Sequence, residues 1–154
     1  RGVGVAAYRD FKLGGLVPIP DALTRFVFSR FYAVYGIIRM PHTSEGASPR
    51  GGAVRSILAA LRKNEIVILF PEGRNVENFV MREIQPGVGD LLRLATRMNV
   101  PIVPIALAPS GATFSVTIGS RLNIPLNGSG HDIETQLGRS LASVLPAQLR
   151  GPYA

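Results

Sequence analysis

Ile66-Val67-Ile68-Leu69-Phe70 is an unbroken run of β-favouring apolar residues that stops at Pro71-Glu72-Gly73. A strand with one face in water alternates apolar and polar residues. One without alternation is expected to be covered on both faces, as in the parallel sheets of α/β folds. The flanking sequence agrees. Residues 2–7 and Gly36-Ile37-Ile38-Arg39-Met40 read as further strands. Ser48 and Pro49 form an N-cap and first helical position ahead of Val54, Ile57, Leu58 and Leu61, a helix ending near Lys63-Asn64.

Beyond the run, Pro86-Gly87 opens a helix with Asp90 in its first turn and Leu91, Leu94, Ala95 and Met98 on one face, closing at Asn99. Val100-Pro101-Ile102-Val103-Pro104-Ile105-Ala106-Leu107 follows as a strand whose prolines suit an edge. Strand, helix and strand in that order predict a parallel crossover. A strand over residues 113–118 and a helix over 132–145, with Ile133, Leu137, Leu141 and Val144, complete the chain. The expectation is a single α/β domain over 1–154, with a mostly parallel sheet flanked by helices. The absence of a starting Met before a strand already under way reads as an amino-terminal truncation.

Residues 21–40 carry Leu23, Phe26, Val27, Phe31, Val34 and Tyr35 at helical spacing, with Phe28 and Tyr32 as a second stripe beside Arg25 and Arg30. Burial on two sides accounts for such a helix, and so does an aromatic, Arg-rich surface dipping into lipid headgroups. No apolar run approaches the ~18–20 residues that a membrane helix needs.

Charge is distributed unevenly. Residues 1–63 hold ten Lys and Arg against three acids, whereas seven arginines balance seven acids in the remainder. A one-sided basic half points to an anionic partner, and nucleic acid, an acidic membrane and a phosphorylated metabolite all qualify. The chain has no Cys and two His, which excludes disulfides, thiolate nucleophiles and Cys-ligated metals, and no metal site is expected. Its chemistry must therefore use hydroxyls, carboxylates, arginines or histidine.

Ligands of open parallel sheets bind beyond the carboxyl ends of the strands, where Pro71-Glu72-Gly73-Arg74-Asn75 falls. Pro71 stops the strand, Glu72 supplies an acceptor, and Gly73 permits close approach to the backbone. Arg74 offers a planar fork suited to phosphate or carboxylate. Taken bare, such a turn is also an ordinary loop.

Residues 68–75, followed by the helix and Val100-Pro101-Ile102-Val103-Pro104-Ile105-Ala106, resemble the third and fourth sequence blocks of the glycerolipid acyltransferases typified by 1-acylglycerol-3-phosphate acyltransferase. Gly36-Ile37-Ile38-Arg39-Met40 resembles the second block, and Ile118-Gly119 and the ending Leu149-Arg150-Gly151-Pro152-Tyr153 extend the likeness over nearly the whole chain. The resemblance implies acyl transfer from a thioester, acyl-CoA or acyl carrier protein as co-substrate, to a lysophospholipid or glycerol phosphate hydroxyl in phospholipid biosynthesis. It also implies a peripheral or monotopic protein on the cytoplasmic face of an anionic membrane, with no separate cofactor. Pro71, Glu72, Gly73 and Arg74 inherit the acceptor's glycerol phosphate, with Arg39 or His42 assisting from the second block. Pro104 inherits the acyl-donor side.

Three departures stand out. The third block usually reads Phe-Pro-Glu-Gly-Thr-Arg-Ser, so Arg74 takes the place of the Thr or lies one position closer. His42 falls where the second block usually ends in Arg; it would need a proton to hold phosphate, and a solvated loop residue is its other reading. The family's catalytic block is a His with an Asp five positions on: the imidazole takes the hydroxyl proton and the carboxylate fixes its tautomer. Five residues after His42 is Ala47 and five after His131 is Gln136, so no catalytic residue is assigned within the chain and the block is expected upstream. A non-catalytic lipid-phosphate-binding or membrane-docking module is the alternative. Nucleic acid is not an expected partner, because the arginines form no basic helix with interleaved aromatics.

Overall fold

The computed structural model describes residues 2–7, 30, 36–40, 47–73 and 78–154. Two compact units, Arg1–Phe70 and Pro71–Ala154, divide the chain. The helix expected over residues 21–40 lies outside the described residues except at Arg30 and the strand at its end.

In the first unit β1 (Gly2–Ala7) is central, with β2 (Ile37–Met40) and β3 (Ile66–Leu69) on either side in the order β2-β1-β3. Both pairings are parallel, in the registers Gly4↔Ile37 and Gly2↔Ile66. Helix α1 (Ala47–Arg62) connects β2 to β3 and packs against both, burying Ala53, Ile57 and Ala60. It begins one residue before the expected cap at Ser48. Asn64 sits in the left-handed region at φ 58, while Asn64 N–H donates to Leu61 O and Glu65 N–H to Ala60 O. Those bonds satisfy the last helical carbonyls and turn the chain into β3. The expectation that β3 is covered on both faces is corrected: Val67 and Leu69 are half-buried, but Ile66 and Ile68 are 70% and 54% exposed. Among the described residues β3 is an edge strand with α1 on one face, which leaves the alternate side chains in water.

The second unit holds α2 (Val88–Arg97), β4 (Ile105–Ser110), β5 (Thr113–Ile118), α3 (Gly130–Ser143) and 3₁₀ turns at Ala147–Leu149 and Gly151–Tyr153. Its core joins Met81, Ile84, Leu92, Ile124, Ile133, Leu137 and Ala142. Helix α2 buries Leu91, Leu92 and Ala95; Leu94, expected on that face, is 37% exposed. Asn99, at φ 58, ends α2 as Asn64 ends α1, with Val100 N–H donating to Ala95 O.

The expected parallel crossover into β4 is also corrected. Among the described residues β4 pairs antiparallel with β5, in the register Ile105↔Ile118 to Ser110↔Thr113. Gly111, at φ +60, takes the first position of the two-residue turn between them, where only glycine adopts that angle freely. Pro101 and Pro104 lack the N–H groups that a longer ladder would use, and Ile102 reaches only an isolated bridge with Leu122. The fold is a mixed α/β arrangement whose antiparallel component the run of residues 100–107 did not announce.

Candidate functional site

Pro71 and Glu72 are half-buried and Gly73 is exposed at the start of the second unit. Gly73 has φ +65, a conformation that favours glycine, and a Cβ there would have to displace the exposed Gln85 side chain, whose Cγ is 2.8 Å away. The turn is held by a strap, residues 78–85. Arg82 N–H donates to Glu72 Oε2 at 3.0 Å, and Gln85 N–H donates to Pro71 O at 2.9 Å. A carboxylate accepts up to about four hydrogen bonds, so the Arg82 bond orients Glu72 and leaves acceptor capacity for a hydroxyl.

Two further amides of the strap, each one residue before a turn-bonding amide, serve the carboxyl-terminal tail. Met81 N–H donates to Leu149 O at 2.8 Å, and Ile84 N–H donates to Tyr153 Oη at 3.1 Å. Met81 and Ile84 are buried in the core while Arg82 and Glu83 are exposed, so the strap is anchored by its apolar side chains as well as by its backbone. Residues 78–85 are thus held at four backbone amides, two bonded to the turn and two to the tail.

Pro104 is buried. Its carbonyl accepts the Gly119 N–H at 2.9 Å, and a Cβ on Gly119 would stand 2.8 Å from its ring. Pro104 therefore closes the base of the β4–β5 hairpin, and among the described residues no hydrogen bond joins it to the 71–73 turn. Pro71, Glu72 and Gly73 are brought together. Arg74 and His42 lie outside the described residues, and of Arg39 the backbone position in β2 is described.

Two other polar features of the second unit are accounted for by structure alone. Ser129 and Asp132 form a capping box at the start of α3, and hydrogen bonds from the Ser129 hydroxyl and then its N–H hold the Asp132 carboxyl below its ordinary range. His131, Asp132, Thr135, Gln136 and Arg139 line a shallow open groove along the same helix. Among the described residues no group of three or more His, Asp or Glu is placed to hold a metal, and no helix is long and apolar enough to cross a membrane.

A family model described as Acyltransferase matches residues 20–108, more than half of the chain. The matched span contains the 71–73 turn, the strap, α2 and Pro104. No curated protein and no solved structure matches the chain significantly.

Proposed function

We propose, from the premise that this chain belongs to the acyltransferase family, that its Pro71-Glu72-Gly73-Arg74 turn receives the phosphate-bearing acceptor of an acyl transfer to a lysophospholipid. In the reaction the acceptor hydroxyl oxygen attacks the thioester carbonyl carbon of acyl-CoA or acyl carrier protein. A C–O ester bond forms, the C–S bond breaks, and the thiol leaves with the proton taken from the hydroxyl. Glu72 accepts from an acceptor hydroxyl, Arg74 and His42 or Arg39 neutralise phosphate, and Pro104 borders the donor side. The proton needs a base that residues 1–154 do not offer in the family's His-to-Asp spacing. The turn is therefore assigned binding and orientation, and proton transfer is assigned to the family's His/Asp block.

One observation carries the reading: within the span matched by the family, Pro71 and Glu72 are held in a single turn by the Gln85 and Arg82 amides. A membrane-bound acceptor accords with the basic surplus of residues 1–63 and with the exposed apolar side chains Ile105, Leu107, Phe114, Val116 and Ile118 on the hairpin. Peripheral attachment to an anionic, cytoplasmic-facing membrane is part of the proposal.

Acyl transfer from oleoyl-CoA to lysophosphatidate in anionic vesicles tests it, using a chain extended to carry the His/Asp block. Turnover that falls at least about a hundredfold in Glu72→Ala and in Arg74→Ala is expected, the size of effect seen when an orienting contact is lost. Full activity in both variants rejects the site assignment. Salt-sensitive vesicle binding without turnover favours the docking-module reading instead.

A further inference from the structure

Amides of one short segment, in the adjacent pairs 81–82 and 84–85, serve both the turn and the carboxyl-terminal tail. Arg82 and Gln85 donate to the turn, at Glu72 Oε2 and Pro71 O, while Met81 and Ile84 donate to the tail, at Leu149 O and Tyr153 Oη. The tail is itself closely fitted. The Tyr153 ring lies over Gly138 of α3, where a Cβ would collide with it, and a Cβ on Gly151, at φ +55, would collide with the Met81 carbonyl.

A side chain at Gly151 would meet the Met81 carbonyl, so the tail has little room to shift at that point without moving the strap. A carboxylate on a flexible side chain has many rotamers; one bonded to a fixed N–H has few. The strap is the part through which the tail's position becomes the Glu72 position.

We infer that Tyr153 is a positioning residue for the acceptor turn: its hydroxyl holds Ile84, and through residues 81–85 it sets the place of Glu72 and Gly73. The inference deepens the proposed function and, for its consequence on binding, rests on it. Tyr153 touches none of the turn residues through a described hydrogen bond, so its effect is transmitted by the Arg82 and Gln85 amides.

Amide hydrogen exchange on the whole chain tests the coupling without reference to activity. Tyr153→Phe keeps the ring on Gly138 and removes only the acceptor of the Ile84 N–H. Exchange at Arg82 and Gln85, whose own acceptors are untouched, is expected to quicken about five- to tenfold with that of Ile84, while Leu137 in α3 holds its rate. Quickening at Ile84 alone overturns the inference, and so does equal quickening at Leu137, which would make Tyr153 a general stabiliser. Glu72→Leu supplies an independent variant, since coupling is reciprocal: it is expected to quicken Met81 and Ile84, and wild-type rates there overturn the inference.

Lysophosphatidate titration of the same variants separates this inference from the functional reading. Weaker binding in both Tyr153→Phe and Glu72→Leu is expected. Wild-type binding in Glu72→Leu removes the acceptor from the turn but retains the exchange coupling, whereas weaker binding in Glu72→Leu alone denies Tyr153 its positioning role.

Discussion

The Glu134 carboxylate, on α3, accepts a 2.7 Å hydrogen bond from the backbone N–H of Gly87, the residue that opens α2, and a second at 3.2 Å from Gly89. Gly87 has no side chain with which to cap its own helix and sits at φ 93. The cap that α2 needs therefore comes from another helix, and it carries the negative charge that a helix amino terminus favours. Glu134→Ala is expected to lower unfolding free energy by about 1–2 kcal/mol, the range for a lost cap at a partly exposed site. Denaturant titration checks this. Glu134→Gln, which keeps an acceptor, should lose less, and equal losses would show that Glu134 acts through packing.

Where α2 and α3 cross, Gly89 and Gly130 are in backbone contact: a Cβ on Gly89 would lie 2.0 Å from Gly130 O. Gly52, inside α1, has nothing among the described residues within 4 Å of the same built position. Both residues are helical glycines, and helix propensity alone favours alanine at each by roughly 0.5–1 kcal/mol. Only at Gly52 is that gain free of a clash. Gly52→Ala is expected to raise the midpoint of thermal unfolding, and Gly89→Ala to lower stability by about 1–3 kcal/mol or more as the helices are forced apart. A stabilised Gly89→Ala would mean that the crossing yields readily.

Much of this was legible in the sequence where a local signal and the tertiary structure agree. Lys63-Asn64 and Met98-Asn99 each mark a helix end because asparagine adopts the left-handed conformation that the cap requires. The strand over 113–118 emerged with its limits intact. Other features needed partners remote in sequence. The lack of alternation in residues 66–70 predicts two covered faces, yet among the described residues only α1 lies on β3. The strand–helix–strand order up to residue 107 predicts a parallel crossover, whereas the Ser110-Gly111-Ala112-Thr113 turn pairs β4 antiparallel with β5. Within the site, Glu72 and Gly73 stood out by residue type. The strap did not, since its bonds are made by backbone amides that carry no residue signature, and Glu134 reaches α2 across more than forty residues.

Asp132 gives stability a specific acid dependence. Its carboxyl is held below the ordinary value of 3.8, first by the Ser129 hydroxyl and then by the Ser129 N–H, with a smaller pull from His131. A group with a lowered pKa in the folded chain contributes stability that is fully present above its ordinary value and is lost as pH falls through the lowered one. Wild type is therefore expected to unfold at a higher temperature than Asp132→Asn at neutral pH, and the gap should close in acid below the ordinary carboxylate range. Thermal unfolding of both proteins across that range checks it. A gap that persists unchanged would assign the capping box no ionic component.

The β4–β5 hairpin carries its large side chains outward, and on β4 the small ones face inward. Ala106 and Ala108 are buried, whereas Ile105, Leu107, Val116 and Ile118 are all more than half exposed on the opposite face. Phe114 extends that face, its ring meeting the edge of Phe79 at 5.9 Å between centroids. Removing such a side chain from water at a lipid surface is worth about 1.5–3 kcal/mol for complete burial, so a single carboxylate introduced there should weaken partitioning by about tenfold or more. Leu107→Asp and Val116→Asp are exposed substitutions and are expected to leave the unfolding midpoint nearly unchanged while reducing co-sedimentation with anionic vesicles. Partitioning equal to wild type in both variants would dismiss this face as the membrane contact and leave attachment to the basic residues of the first unit, whose contribution would then vanish at high salt.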